Sequence, residues 1–312
     1  MISVLIPAYN CRDLLPQALD SVLGQEEFDD WEAVVVDDGS DDDTFAVARD
    51  YTRRDSRIHA VSIPHGGLSV ARNAALAHST GDRVVWLDGD DKLHPRALAD
   101  MDRIARQSHA DVVHAMMVRG TAFRPARLTG RYFVLDGSIA WEEILYQHVL
   151  NNSLSGKMFR RELFDGYTFT PGGLYEDLEA SAWLYVPGVR VAVTMDPVYF
   201  YRDNPGSLVN TWRPERLDVL RVTTALTAAA RSRGPESLAA ARNRRFAALF
   251  NMFLLASDHG ETRTAQYCWR LLKAYRGLIV TDRRSRPKNK LGALLSFMGR
   301  RPTIFVHRLL GI

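Results

Sequence analysis

Short apolar runs alternate along the first 118 residues with longer stretches in which apolar residues recur at helical spacing. The short runs are nearly continuous in Val, Ile and Leu, as expected for strands of a sheet that is covered on both faces. Alternating strands and helices predict an α/β fold with an open, mostly parallel sheet. The predicted strands span residues 3–6, 32–36, 58–62, 83–87 and 111–118, and the predicted helices span 14–23, 42–54, 68–79 and 95–107.

The pattern is less regular from residue 119 to 212 and almost wholly helical from residue 214 onward. The middle stretch predicts helices at 138–150, 157–164 and 176–186, and strands at 190–194 and 198–202. The last stretch predicts helices at 215–232, 235–257 and 261–279, then a basic linker at 283–290 and two apolar stretches at 291–298 and 304–310. We therefore predict two regions, 1–212 and 213–312, of which the second is mainly helical.

Composition and length exclude several classes of protein. Hydrophobic residues make up 46% and charged residues 25% of the 312, which excludes a disordered or fibrous chain. No apolar run approaches the roughly 20 residues of a membrane-spanning helix, and the first residues lack the basic start of a secretory signal. Cys11 and Cys268 are far apart in the sequence, so neither a disulfide scaffold nor a zinc cluster is predicted. These features predict a globular cytoplasmic protein.

Charge is distributed unevenly between the two predicted regions. Residues 1–212 contain 20 Lys and Arg against 31 Asp and Glu, whereas residues 213–312 contain 20 against 6. Residues 283–312 have eight basic side chains and no acidic one. Together with the two apolar stretches, this favours an amphipathic element on an anionic membrane surface, peripheral to the inner face of the plasma membrane. The alternative is a solvated basic face with a terminal helix packed on the protein. Nucleic acid is not a predicted partner, because no aromatic interleaving or known motif accompanies the charge.

Three polar clusters directly follow predicted strands. Tyr9-Asn10 follows the first strand, Asp37-Asp38 the second and Asp88-Gly89-Asp90-Asp91 the fourth. Ligands of open parallel sheets bind beyond the carboxyl ends of the strands. The three clusters therefore predict a shared ligand site at one edge of the sheet.

The third cluster has three carboxylates in four residues. Such groups repel one another unless a cation or positive side chains compensate. Carboxylate oxygens suit Mg²⁺ or Mn²⁺, and Mg²⁺ is often held by one or two carboxylates plus substrate phosphates. The alternative is a solvated turn whose aspartate caps the helix that begins near Pro95.

The other candidate residues have structural alternatives too. Asp37 and Asp38 can accept hydrogen bonds from a nucleobase or ribose, or form a turn and helix cap before Thr44. Tyr9 can offer an aromatic face to a base, or pack at the edge of the core. Arg72 lies among Ala and Val, so burying it requires an anionic partner. That partner is either Asp37 or Asp38, or the diphosphate of a nucleotide.

Four motifs in this order resemble family 2 glycosyltransferases, which have the GT-A fold: SVLIPAYN, VVVDDGSDDDT, LSVARNAAL and GDRVVWLDGDD. They cover roughly residues 1–120, and the segments GKMFRR, YED and YFYR extend the resemblance to about residue 212. The resemblance is to bacterial enzymes that build capsular, exopolysaccharide or lipopolysaccharide chains. It implies a Rossmann-like, mostly parallel sheet with helices on both faces in residues 1–212, which would bind the nucleotide-sugar and carry out catalysis. The helical region 213–312 would then serve acceptor or membrane association.

The resemblance also implies roles for individual residues. Asp90 matches the position that holds a divalent metal, Mn²⁺ or Mg²⁺, on the diphosphate. Asp177 matches the catalytic base, with Glu176 as the alternative, although both could simply stabilise a helix N-terminus. Many relatives have a His or Arg where this chain has Asn204, and Ser207 lies in the same loop. The residues matched to nucleotide-sugar binding are Pro7, Tyr9, Asp37, Asp38, Arg72, Asp88, Asp91 and Arg202.

The function predicted from these residues is inverting, metal-dependent transfer of one sugar from a UDP-sugar to a glycan or lipid-linked acceptor. Processive relatives have a QxxRW motif and membrane helices, which this sequence lacks. A sugar-1-phosphate nucleotidylyltransferase is an alternative, although Pro7-Ala8-Tyr9-Asn10 is not a Gly-rich phosphate loop. A non-catalytic carbohydrate-binding relative is a second alternative, against which the presence of Asp90 and Asp177 argues.

Overall fold

A computed structural model of the chain describes residues 1–122, 125–203 and 212–310. The chain divides into two compact units. The sheet unit comprises Met1–Gly137 and Ser153–Ser207, and the helical unit comprises Ser138–Asn152 and Leu208–Ile312. Residues 138–152 thus group with the C-terminal helices.

The sheet unit is built on one mixed, mostly parallel sheet, as the apolar pattern predicts. Its strand order is β3-β2-β1-β4-β8-β6-β9-β5, and β7 pairs with β9. Strands β1 to β4 are mutually parallel and β6 is parallel to β9, whereas β5, β7 and β8 are antiparallel to their neighbours. The strands are β1 (Ile2–Ala8), β2 (Trp31–Asp37), β3 (Ile58–Ser62), β4 (Arg83–Trp86), β5 (Lys92–Leu93), β6 (Val112–Gly120), β7 (Phe133–Asp136), β8 (Lys157–Arg160) and β9 (Arg190–Arg202).

Helices pack on the sheet through amphipathic faces. In the first helix the buried residues are Leu15, Ala18, Leu19 and Val22, which lie three or four positions apart and so share one face. Every residue of β1 and β2 is buried, which explains their nearly continuous apolar sequences. The helices of this unit are α1 (Leu15–Leu23), α2 (Thr44–Arg54), α3 (Leu68–His78), α4 (Ala97–Ser108) and α6 (Glu176–Leu184).

Several predicted elements differ from the structure, and the single helix predicted over 261–279 is interrupted between Leu272 and Arg276. Residues 157–164 form β8 and a 3₁₀ turn at Arg161–Phe164, not a helix, because Met158 and Phe159 pair with both β4 and β6. The two strands predicted between 190 and 202 are one strand, β9, with a shift in its register against β6 near Met116. The linker predicted over 283–290 is already helical from Pro287, a residue that fits the first turn of a helix.

The helical unit contains α5 (Gly137–Tyr146) and the helices after residue 212. Helix α8 is its longest element, and α7, α9, α10, α11 and α12 all contact it. No helix within the described residues is long and apolar enough to cross a membrane. The remaining helices are α7 (Asp218–Ala230), α8 (Pro235–Asp258), α9 (Thr262–Leu272), α10 (Arg276–Thr281), α11 (Pro287–Phe297) and α12 (Arg300–Leu310).

Candidate active site

The three polar clusters lie at the carboxyl ends of β2, β1 and β4, which are adjacent strands of the sheet. The loops after β1 and β2 are hydrogen-bonded to each other. The backbone N–H of Asn10 donates to Ser40 Oγ at 3.0 Å, and the N–H of Asp41 donates to Asn10 Oδ1 at 2.9 Å. The structure therefore places the clusters at one edge of the sheet, as the strand pattern predicts.

Asp37 and Asp38 are buried and shape the loop that leads into α3. The two carboxylate oxygens of Asp38 accept hydrogen bonds from the N–H groups of Gly66 (2.8 Å) and Gly67 (2.9 Å), and Asp37 accepts one from Ser62 Oγ at 3.1 Å. Neither caps α2, because the N–H of Thr44 donates to Asp42 instead. Gly39 fits this turn, since a Cβ there would lie 2.7 Å from the backbone nitrogen of His65.

Tyr9 lies at the surface of this edge and not in the core. Its side chain is 45% exposed and stacks on the His65 ring, with ring centroids 4.4 Å apart. The His65 ring is held in turn by Asp38, whose carboxylate is 3.0 Å from Nδ1. Pro7 lies in β1 opposite Val36 of β2. The edge of the sheet thus presents a partly exposed aromatic ring.

Arg72 is buried, and its carboxylate partners are not the two aspartates considered from the sequence. Its guanidinium forms an ion pair with Glu176 and lies 3.8 Å from Asp88 Oδ1, so neither Asp37 nor Asp38 is its partner. Arg72 thus joins α3 to the first turn of α6 and to the loop after β4. Burial raises the pKa of the Glu176 carboxyl, and the charge of Arg72 opposes that shift.

The acidic turn after β4 is anchored by β9. Asp91 is buried, and its carboxylate accepts hydrogen bonds from the Tyr199 hydroxyl and the Arg202 N–H, both at 2.7 Å. Asp88 accepts one from Ser155 Oγ at 3.1 Å. Burial and the neighbouring Asp88 raise the pKa of Asp91 to about 7. The alternative of a solvated turn is therefore wrong for Asp91.

Asp90, the predicted metal ligand, lies in the same acidic turn as Asp88 and Asp91. Burial and the charge of Asp88 raise the pKa of its carboxyl, and a cation beside it would favour the ionised form. Within the described residues no other side chain donates a hydrogen bond to it. No group of three or more His, Cys, Asp and Glu side chains in that part of the chain is arranged to hold a metal. This donor set fits a divalent cation whose remaining ligands are phosphate oxygens and water.

Arg202 lies at the end of β9, against the same turn. Its Nε donates to the carbonyl oxygen of Asp90 at 3.0 Å, and its Nη2 donates to Gln17 at 2.8 Å. The guanidinium therefore places a positive charge beside the acidic turn. Asn204 and Ser207 lie outside the described residues.

Asp177 and Glu176 both lie in the first turn of α6 but have different surroundings. Tyr175, just before them, has a left-handed conformation with φ of 67° that turns the chain into the helix. Glu176 is in the ion pair with Arg72, whereas Asp177 interacts electrostatically with Lys157. Both acids also lie where the helix dipole favours negative charge. The two neighbouring carboxylates thus face different charged partners.

Lys157, Tyr199 and Ser155 were missed by the sequence interpretation. Lys157 is fully buried on β8, and its ammonium donates to the carbonyl oxygen of Ser153. Burial lowers the pKa of Lys157 to about 7, and Asp177 opposes that shift. The signal available in the sequence was a lysine beside the apolar pair Met158-Phe159, but 157–164 was interpreted as a helix.

We expect the buried lysine to make stability depend on pH. Because its pKa is lower in the folded chain, the unfolded chain binds more protons between about pH 7 and 10, and the free energy of unfolding rises across that range. The slope from this one group is at most about 1.4 kcal/mol per pH unit. Lys157→Met should remove that rise, as measured by denaturation at several pH values. The exposed Lys273→Met is the control, and an unchanged pH dependence in Lys157→Met would contradict the assignment.

Comparison with known proteins shows the family of the chain. Residues 3–168 match the model of glycosyl transferase family 2. The putative teichuronic acid biosynthesis glycosyltransferase TuaG of Bacillus subtilis is 35% identical over 164 residues, which are 50% of this chain and 59% of TuaG. The chain spans 62% and 33% of the length of two other bacterial glycosyltransferases.

Two solved structures share the fold. TarS 1–349 of S. aureus in complex with UDP-GlcNAc superposes with a TM-score of 0.75 at 21% identity, covering 99% of this chain and 92% of that one. A mannosyltransferase of Pyrobaculum calidifontis in complex with GDP-Man and Mn²⁺ gives 0.52 at 20% identity, covering 99% and 86%.

These likenesses confirm the predicted GT-A fold with a helical C-terminal region. The family model covers more than half of the chain, including all three polar clusters, α3 and β8. It thereby favours the glycosyltransferase hypothesis over the nucleotidylyltransferase one. The chain belongs to glycosyltransferase family 2.

Proposed function

We propose that this chain transfers a single sugar, with inversion, from a UDP-sugar to a glycan or lipid-linked acceptor in the synthesis of a bacterial surface polysaccharide. One observation carries the proposal. Arg72 joins the acidic turn after β4 to the first turn of α6 through Asp88 and Glu176, and the exposed Tyr9 lies at the carboxyl end of the neighbouring strand β1, stacked on His65.

The nucleoside would bind beside β1 and β2. The exposed ring of Tyr9 offers a stacking face for uracil, and Pro7 lies in the strand below it. Each carboxylate has about four lone pairs, so Asp37 and Asp38 retain acceptor capacity beyond their present hydrogen bonds. Because both are buried, we assign them mainly to shaping this edge: the Asp38 carboxylate holds His65, and the Asp37 carboxylate accepts a hydrogen bond from Ser62.

The diphosphate would lie over the acidic turn. Asp90 would hold Mn²⁺ or Mg²⁺ there, and the ion would neutralise charge that develops on the leaving diphosphate. Asp88 lies near the ribose in the family resemblance, and Asp91 supports the turn through Tyr199 and Arg202. The guanidinium of Arg202 supplies a positive charge next to Asp90 that is independent of the ion.

The transfer step would use Asp177 as the base. The acceptor oxygen attacks the anomeric carbon, the bond from that carbon to the diphosphate oxygen breaks, and UDP leaves with the bonding electrons. The hydroxyl proton passes to the Asp177 carboxylate. We choose Asp177 over Glu176 because the ion pair with Arg72 already occupies Glu176. Lys157 is then a positioning residue behind Asp177.

Release of UDP from a panel of UDP-sugars tests the proposal. UDP-GlcNAc is the first donor to test, because the structurally similar TarS binds it. We expect at least one donor to release UDP when Mn²⁺ is present and none to do so after chelation. Release that is unaffected by chelation would contradict the metal requirement. Consumption of added pyrophosphate, with formation of UTP and sugar 1-phosphate from the UDP-sugar, would instead indicate nucleotidyl transfer.

A further inference from the structure

Helices α11 and α12 each have one packed face and one exposed face. On α11 the buried residues are Asn289, Gly292, Ala293 and Ser296. A Cβ at Gly292 would lie 2.9 Å from the Phe250 ring, which shows how closely α11 packs on α8. On α12 the buried Thr303 donates a hydrogen bond to the carbonyl oxygen of Leu295. The packed faces show that these helices are part of the helical unit.

The opposite faces carry large apolar side chains in solvent. On α11 they recur every three or four residues, so they form one stripe along the helix. On α12 the two are four residues apart. Single exposed apolar residues are common, but a periodic series across two consecutive helices marks an interaction surface. The series comprises Leu291, Leu294, Phe297, Met298, Phe305 and Leu309, which are 46–71% exposed.

The charges that accompany this series are all positive. Arg284 and Arg308 are already paired, with Glu142 and Asp258 respectively. Lys288 and Arg301 are exposed, and no acid among the described residues lies within ion-pair distance of either. Lys288 continues the α11 stripe three residues before Leu291, and Arg301 lies four residues before Phe305. Each apolar stripe therefore has an unpaired cation at one end.

We propose that the exposed faces of α11 and α12 bind the surface of a membrane that contains anionic lipids. Apolar side chains next to cations match the boundary between acyl chains and acidic headgroups. A second copy of the chain is a poorer fit, because two copies would bring the same acid-free basic faces together. The packed faces make these helices a structural part of the unit, and their exposed faces are the part that we assign to the membrane surface.

Point substitutions test this surface better than truncation. Ser285 and Asn289 are buried and hydrogen-bonded to Asn243 of α8, so removing residues 283–312 would open the core of the helical unit. Leu294→Gln with Phe305→Gln removes apolar groups from the exposed stripes only. Lys288→Glu with Arg301→Glu reverses the two unpaired cations. Matched controls are Ile139→Gln and Arg231→Glu, which change exposed residues of the same unit outside α11 and α12.

The measurement is co-sedimentation of the full chain with vesicles of phosphatidylcholine, with or without about 30% phosphatidylglycerol. We expect binding to the anionic vesicles that weakens at about 0.5 M salt. The charge-reversed variant should bind at least about tenfold more weakly, because each cation contributes about fivefold to the affinity for an anionic surface. The apolar variant should lose binding to a similar extent, whereas both controls should bind as the wild type does.

Binding needs no donor or acceptor, so its outcome is independent of the proposed sugar transfer. Equal binding of wild type and both stripe variants, or no binding to anionic vesicles, would overturn the proposal. So would a dimer in light scattering that the apolar substitutions dissociate while vesicle binding is absent, because the surface would then be occupied by a second copy. Equal thermal stability of all variants is the check that the substitutions leave the unit folded.

Discussion

Asp90→Ala is expected to lower kcat/KM for sugar transfer by at least about 10²-fold, because a metal on the leaving diphosphate contributes several kcal/mol. The same substitution should remove the effect of Mn²⁺ on UDP affinity. The reason lies in the surroundings of Asp90, where burial and Asp88 make its carboxylate costly to ionise without a cation. Rates of UDP release and titrations of UDP with and without Mn²⁺ measure both effects.

A matched control is Asp41→Ala, which removes an exposed carboxylate from the loop after β2. It should leave both the rate and the Mn²⁺ effect close to wild type. If Asp90→Ala turns over at the wild-type rate and still requires Mn²⁺, another residue holds the metal. The assignment of the acidic turn would then have to be abandoned.

Asp177→Asn is expected to lower kcat by about 10²–10⁴-fold, the usual contribution of a general base, while the affinity for UDP-sugar changes little. The amide keeps the shape of the side chain but cannot take a proton at neutral pH. Glu176→Gln should behave differently, because it weakens the buried ion pair with Arg72. We expect it to lower the free energy of unfolding by about 1.5–3 kcal/mol.

Parallel kinetics and thermal denaturation of the two variants separate these effects. Asp177→Asn should unfold at nearly the wild-type temperature, whereas Glu176→Gln should unfold at a lower one. If Glu176→Gln loses more kcat than Asp177→Asn while keeping its stability, the roles of the two acids must be exchanged. The Arg72 ion pair would then be a feature of the resting enzyme that opens during the reaction.

The sheet was largely predictable because its buried strands appear in the sequence as runs of apolar residues. Strands β1 to β4 are rich in Val and Ile, and the structure places them within a few residues of the predicted bounds. Strand β8 was not predictable in this way, since its four residues are extended only because they pair with β4 and β6. Local pattern cannot show a partner strand that lies tens of residues away.

The site was predictable as a set of residues but not as a set of contacts. The acidic clusters directly follow strands, and the ends of the apolar runs show in the sequence where those strands end. The partner of Arg72, by contrast, is Glu176, which lies 104 residues further along the chain. The contact of Tyr199 with Asp91 spans 108 residues. Such pairs depend on the order of strands in the sheet, and no local pattern encodes that order.

The most direct test of the account is a titration of UDP into the wild-type protein, with Mn²⁺ and with a chelator. UMP, which lacks the second phosphate, is the matched control ligand. We predict one UDP site whose affinity rises at least about tenfold with Mn²⁺, since the ion joins Asp90 to the diphosphate, and little such effect for UMP. Equal affinity for UDP with and without Mn²⁺, or no binding of UDP, would contradict a metal-dependent nucleotide-sugar site at this edge of the sheet.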